Sequence, residues 1–202
     1  MPTTANIAKI NGIVFSGAAA ASDAHTLIAT QTASGSATLS FTLGLDSLFD
    51  AYEFRCMSMH PATNAAKFSF QVNAAGQTGF NETMTTTTFM AYHGEDDSYG
   101  ALAYSTGDDQ AQGTAYQTIC PTTSDASDAA MSGVLTLYAP SSTTYVKQFT
   151  VRTSVPASNG LMYDFYTAGY INVTAAIDEI SFKFHTGNID AGVIKMYGIA
   201  KA

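Results

Sequence analysis

The chain has 202 residues, 46% hydrophobic and only 12% charged, and sixteen acids against eight bases leave it at -8. Bases so few and so scattered exclude a phosphate-binding track for nucleic acid, and no stretch approaches the ~18 apolar residues of a membrane-spanning helix. The length suits one all-β domain, and a surface of hydroxyls and small residues suits a protein held among neighbours.

Residues 1–23 read as an N-terminal arm and linker, and 24–202 as the β-domain. In the arm, Ile7 and Ile10 stand among Thr, Asn and Lys9 without a helix cap or alternation, 13–15 suggest a short strand, and 17–23 are small-residue linker. The apolar run after Lys9 imitates a secretion signal poorly, because its charge comes late and its core is short; synthesis without export is expected.

A strand is expected over 25–32. The clearest alternation follows, with Ala37, Leu39, Phe41 and Leu43 on one face and Thr38, Ser40 and Thr42 on the other. Asp46 is placed to cap one helical turn over 46–52. In 52–60, Tyr52, Phe54 and Cys56 oppose Glu53, Arg55, Met57 and Met59, so the second face starts charged and ends apolar, and Pro61 stops the strand. Phe68, Phe70 and Val72 form one face of the next strand. Four threonines, 85–88, favour extended backbone.

Residues 93–113 read as one long acidic surface loop with a short strand near 101–104, and loops of that length are usually functional or pinned. A short strand over 115–120 precedes a hairpin of 133–138 with 145–155, in which Tyr145, Phe149 and Val151 face one way and Val146, Gln148, Thr150 and Arg152 the other. Residues 161–173 are an aromatic strand. In 180–185, Ile180, Phe182 and Phe184 alternate with Ser181, Lys183 and His185; 186–192 supply turn residues, and 193–199 run back as the second arm of a closing hairpin. Eight to ten strands and no amphipathic helix make an antiparallel sandwich.

That closing stretch, with Gly187-Asn188-Ile189 and Gly192 at its turn and Tyr197-Gly198-Ile199 at its end, resembles the C-terminus of β-sandwich virion proteins of tailed bacteriophages, particularly marine ones. Ala5-Asn6-Ile7-Ala8-Lys9-Ile10-Asn11-Gly12 shares that look. The resemblance implies a single jelly-roll-like sandwich with an extended N-terminal arm, made in the host cytoplasm and built onto the outside of a phage particle as capsid decoration or tail component. By the same analogy it implies a homotrimer in contact with other virion proteins.

No catalytic, cofactor-binding or metal-ligating residue is singled out, and an enzyme is not expected. Glu95, Asp96, Asp97, Asp108 and Asp109 offer oxygens to Ca²⁺ but follow no calcium-loop spacing, so a solvated loop is the simpler reading. His25, His60, His93 and His185 are isolated, without zinc spacing. Cys56 and Cys120 read as two buried thiols, with one disulfide as the alternative. Tyr92, Tyr99, Tyr104, Tyr116, Tyr163 and Tyr166 offer flat faces to a sugar ring or a partner's apolar patch, against the plainer reading that each packs on its own sheet. Asn81-Glu82-Thr83 and Asn172-Val173-Thr174 match the glycosylation triplet, which matters only on export.

The expected mechanism is subunit burial. Met57, Met59, Ile194 and Met196, or their opposite-face neighbours, would pack between copies, and residues 2–15 would lie along the particle. The alternative is a carbohydrate- or receptor-binding module for host attachment that uses 93–113.

Overall fold

The computed structural model describes residues 24–200, together with the backbone of two short strands, β1 (Lys9–Ile10) and β2 (Ile13–Val14), which pair antiparallel. Apart from those strands, the arm and signal readings of residues 1–23 lie outside the described residues. The rest is all-β, with 62% strand, no helix, and thirteen strands in two antiparallel sheets.

In chain order these are β3 (His25–Ser36), β4 (Leu39–Phe41), β5 (Ala51–Pro61), β6 (Ala66–Ala74), β7 (Met84–Gly94), β8 (Gly100–Tyr104), β9 (Ala111–Gly113), β10 (Gln117–Thr123), β11 (Met131–Tyr138), β12 (Lys147–Pro156), β13 (Leu161–Ile171), β14 (Ile177–Phe184) and β15 (Ile189–Ile199). The large sheet runs β3-β15-β5-β11-β12-β13-β7-β8, with β9 also on β7, and the small sheet runs β4-β14-β6-β10. Eight of these, β3, β4, β5, β6, β10, β11, β14 and β15, form a jelly roll. Numbered one to eight, they read one-eight-three-six in the large sheet and two-seven-four-five in the small one, the order produced when a long antiparallel ribbon wraps into two layers. The remaining five are insertions that widen the large sheet beyond β11.

Alternation makes the layers. In β12 every second residue (Lys147, Phe149, Val151, Thr153, Val155) is buried and the residues between them are exposed, as a half-wet strand requires. β6 is buried on both faces. Phe68, Phe70 and Val72 enter the core, while Gln71 on the other face donates through Nε2 to the carbonyls of Glu82, Thr114 and Ala115, which lie over it. Aromatic packing ties the two layers: Phe70 of β6 meets Phe149 of β12 edge-on at 4.9 Å, and Phe54 of β5 lies 5.6 Å from Phe182 of β14.

Several expectations are corrected. The closing stretch is no hairpin: β14 pairs with β6 and β4, whereas β15 pairs with β3 and β5. The chain turns through Gly187, at φ 70°, from one layer to the other. Facing strands can both direct their apolar residues inward, so Phe182 and Phe184 are buried from one side and Ile194 and Met196 from the other. Ile194 and Met196 are therefore core residues and not outer-face contacts.

Met59 moves inward for a different reason. Ser58 has φ 51°, and between Met131↔Met59 and Gly133↔Cys56 three steps on β5 oppose two on β11. This bulge puts Met59 on the face of Cys56 and leaves only Met57 outward, 37% exposed. The alternation of 37–43 survives only in Leu39 and Phe41, because β4 is a three-residue edge strand; Leu43 is 82% exposed and Leu45 is buried instead.

Asp46 starts a turn but no helix. Its Oδ1 accepts from Leu48 N–H and from the Tyr52 hydroxyl, each at 2.8 Å, and Tyr52 is already an inward residue of β5. Tyr145 lies outside β12 and is exposed, so it does not share the inward face of Phe149. The 93–113 stretch is not one loop: the expected short strand near 101–104 is β8, and β9 joins it in pairing with β7. Cys56 and Cys120 are buried free thiols. The thirteen strands exceed the expected eight to ten because five inserted strands extend the eight-strand frame.

Candidate interaction surface

The widened part of the large sheet, β12-β13-β7-β8, turns one face outward. Cross-strand pairing places Arg152, Tyr166, Phe89 and Tyr104 in one row over four neighbouring strands, and Asp164, Ala91 and Leu102 in the next. Met162 and His93 follow. The β-prone threonines of β7 and the aromatic run of β13 make these strands, and the two-residue period sends Phe89 and Tyr166 to the same side.

The row is internally locked. Phe89 and Tyr166 stack at 4.8 Å with 4° between planes, and the Arg152 guanidinium caps the stack 5.1 Å from the Tyr166 centroid. Arg152 donates to Asp164 through Nε at 2.9 Å and through a terminal nitrogen at 2.8 Å, and the Tyr166 hydroxyl donates to the same carboxylate at 3.0 Å. Hydrogen bonds from Arg152 hold the Asp164 carboxyl below its usual range, and the bond to Asp164 raises the Tyr166 phenol. Upright stacked rings present their edges, so Tyr166 has no free face for a sugar. Phe89 is 42% exposed, Leu102 72% and Tyr104 54%.

At the end of these strands Tyr92 lies 5.5 Å from both Tyr99 and Tyr163, and the Tyr92 and Tyr99 hydroxyls are 3.3 Å apart. Asn159 donates to the Tyr163 hydroxyl at 2.9 Å. Beside them, Glu95, Asp96, Ser98 and Asn159 line a cleft of about 310 Å³. The Tyr116 ring is covered by Lys183, whose ammonium is 4.1 Å from its centroid. The tyrosines thus pack mainly on their own sheet and neighbours, with Tyr99 and Tyr104 left most open.

The five acids of this region do not converge. Asp108 points inward to Lys67 Nζ at 2.6 Å and accepts from Ser105 at 2.7 Å, Asp97 meets His93 at 3.1 Å, and Asp109 accepts from Tyr104 at 2.6 Å. Asp96 accepts from the Ser98 hydroxyl and N–H, which lowers its carboxyl. The histidines are equally dispersed: His25 sits 3.3 Å from Glu53, His60 bridges Asp190 and the Ala126 carbonyl, and His185 Nδ1 accepts from Lys67 N–H. No group of three His, Cys, Asp or Glu among the described residues is arranged to hold a metal ion.

Two features escape sequence reading. The Arg152–Asp164–Tyr166 cluster depends on hairpin register between β12 and β13, which a register count across 157–160 would expose. Lys147, by contrast, is an inward lysine whose ammonium is surrounded by the carbonyls of Val173, Thr174 and Ala175, and a charged residue at a core position carries no sequence signal of its cage.

Fold and surface together define a jelly-roll β-sandwich with a widened sheet and an aromatic outer face. Comparison with protein-family models, curated proteins and solved structures finds no match to the chain.

Proposed function

We propose that the protein is a non-enzymatic virion structural protein on the outside of a tailed phage particle, either capsid decoration or tail component. It acts by burying its surface against copies of itself and other virion proteins. The observation that carries this reading is the outer face of β13, β7 and β8, where the stacked Phe89 and Tyr166 share one partly exposed patch with Leu102, Tyr104 and Met162. Rings already immobilised by stacking lose little entropy on burial, which favours them at interfaces. The jelly roll supports the reading, since this topology recurs in capsid domains, and the likeness of 180–199 to phage virion proteins supplies the particle. That likeness also implies threefold association. On the same sheet, Met57 and the half-buried Val193 and Tyr197 turn outward and extend the contact surface.

Quantitative peptide mass spectrometry of particles banded from the producing culture tests this. The chain is expected at a fixed high copy number per particle; a chain left in the supernatant overturns the proposal. A second reading, a glycan- or receptor-binding tip, is favoured by Tyr99, 56% exposed next to the Glu95–Asp96–Asn159 cleft. It requires glycan-array binding that Tyr99→Ala abolishes.

A further inference from the structure

Two sheets have four edges, and three of them carry a feature that discourages pairing. β8 is five residues long, β4 is three, and β10 contains Pro121 and two register irregularities. The fourth edge is β3. It spans twelve residues without a single Lys, Arg, Asp, Glu or Pro, and it is bonded to β15 on one side with no strand on the other among the described residues. Its register shifts once, at Ile28, where Leu27 and Ala29 oppose the consecutive Tyr197 and Met196, and Gly35 takes φ 63° near its end; between them, Ala29 to Ser34 pair step by step.

That regular run reads Ala29-Thr30-Gln31-Thr32-Ala33, the same in both directions. We propose that β3 pairs antiparallel with β3 of a second copy about a two-fold axis at Gln31. In that register Thr30 lies opposite Thr32 of the second copy, Ala29 opposite Ala33, and Gln31 opposite itself. Thr30 and Thr32 are exposed on the outer face beside Lys195 and Val193, so hydroxyl meets hydroxyl, a favourable cross-strand pair. Ala29, Gln31 and Ala33 continue the inner face opposite Met196, Ile194 and Gly192. An isologous contact needs one patch that complements itself, and a palindromic strand meets that condition without a second surface. Two chains of -8 repel, and this neutral edge lets them approach without setting like charges opposite each other. The contact is separate from the threefold arrangement above and stands whether or not the chain bands with particles.

Sedimentation of the full chain is expected to show an even-numbered assembly of the 21.2 kDa chain, a pair by this contact alone and six copies where the threefold contact also forms, and an isolated trimer overturns the proposal. Thr30→Lys/Thr32→Lys sets lysines opposite lysines and is expected to weaken association at least about tenfold with unchanged circular dichroism. Gln31→Cys is expected to give a disulfide-linked dimer on oxidation, since Cys56 and Cys120 are buried. Should that variant fail to fold, Thr30→Cys/Thr32→Cys places both thiols at exposed positions and is expected to cross-link in the same way. A monomeric wild type, as when the chain's own N-terminal residues cover the edge, overturns the proposal. So does an assembly that survives the two lysines and forms no cross-link.

Discussion

Lys147 shows how one residue can be both buried and charged. Its stem fills an inward position of β12, and its ammonium finds three carbonyls in the 173–175 segment in place of water. Lys147→Met keeps the stem and strands those carbonyls, so a loss of about 2 kcal/mol is expected in urea unfolding. The core acids act in the opposite sense. Burial pushes the Cys56 and Cys120 thiols and the Tyr52 phenol up to about 12, from ordinary values of 9 and 10. The native state then holds protons that the unfolded chain releases. Stability from these groups is whole below about pH 9 and falls as pH rises toward 12, which unfolding midpoints across that window will reveal. The same burial predicts that neither thiol reacts with a disulfide reagent at pH 8 until the chain is unfolded.

Among the elements, the widened sheet is the least supported. β5, β15 and β6 have bonded strands on both sides and a layer above, whereas among the described residues β8 is bonded to β7 alone. Hydrogen exchange is expected to be fastest in β8 and slowest in β5, β6 and β15, and equal protection throughout would contradict the layer assignment. Gly169 is where this extension is most sensitive. A methyl there would sit 2.5 Å from the Thr85 carbonyl and 2.7 Å from Thr86 Cγ2, forcing β13 and β7 apart. Gly169→Ala is expected to lower stability by about 1–3 kcal/mol and to raise exchange in β7 and β8 before the rest.

At the scale of the whole molecule, Phe70 against Phe149 and Phe54 against Phe182 join the layers, and Phe182→Ala is expected to cost about 3–5 kcal/mol in denaturant unfolding. All-β character, the inward faces of Phe68, Phe70 and Phe182, and most strand positions were legible in the sequence, because a two-residue period is a local property of the chain. Partners were not. Whether β14 and β15 share a sheet, or face each other across the core, depends on which other strands need those places, and both arrangements bury the same side chains. A bulge at Ser58 reversed the faces beyond it, and Met59 went inward. The join of Tyr166 to Phe89, which completes the outer aromatic row, and the edge position of β3 among the described residues likewise arise from pairing between strands distant in sequence. The sequence by itself determined what must be buried and what must be extended; only the tertiary structure decided which strand lies beside which, because hydrogen bonding between strands is satisfied by any neighbour and shape in three dimensions selects among them.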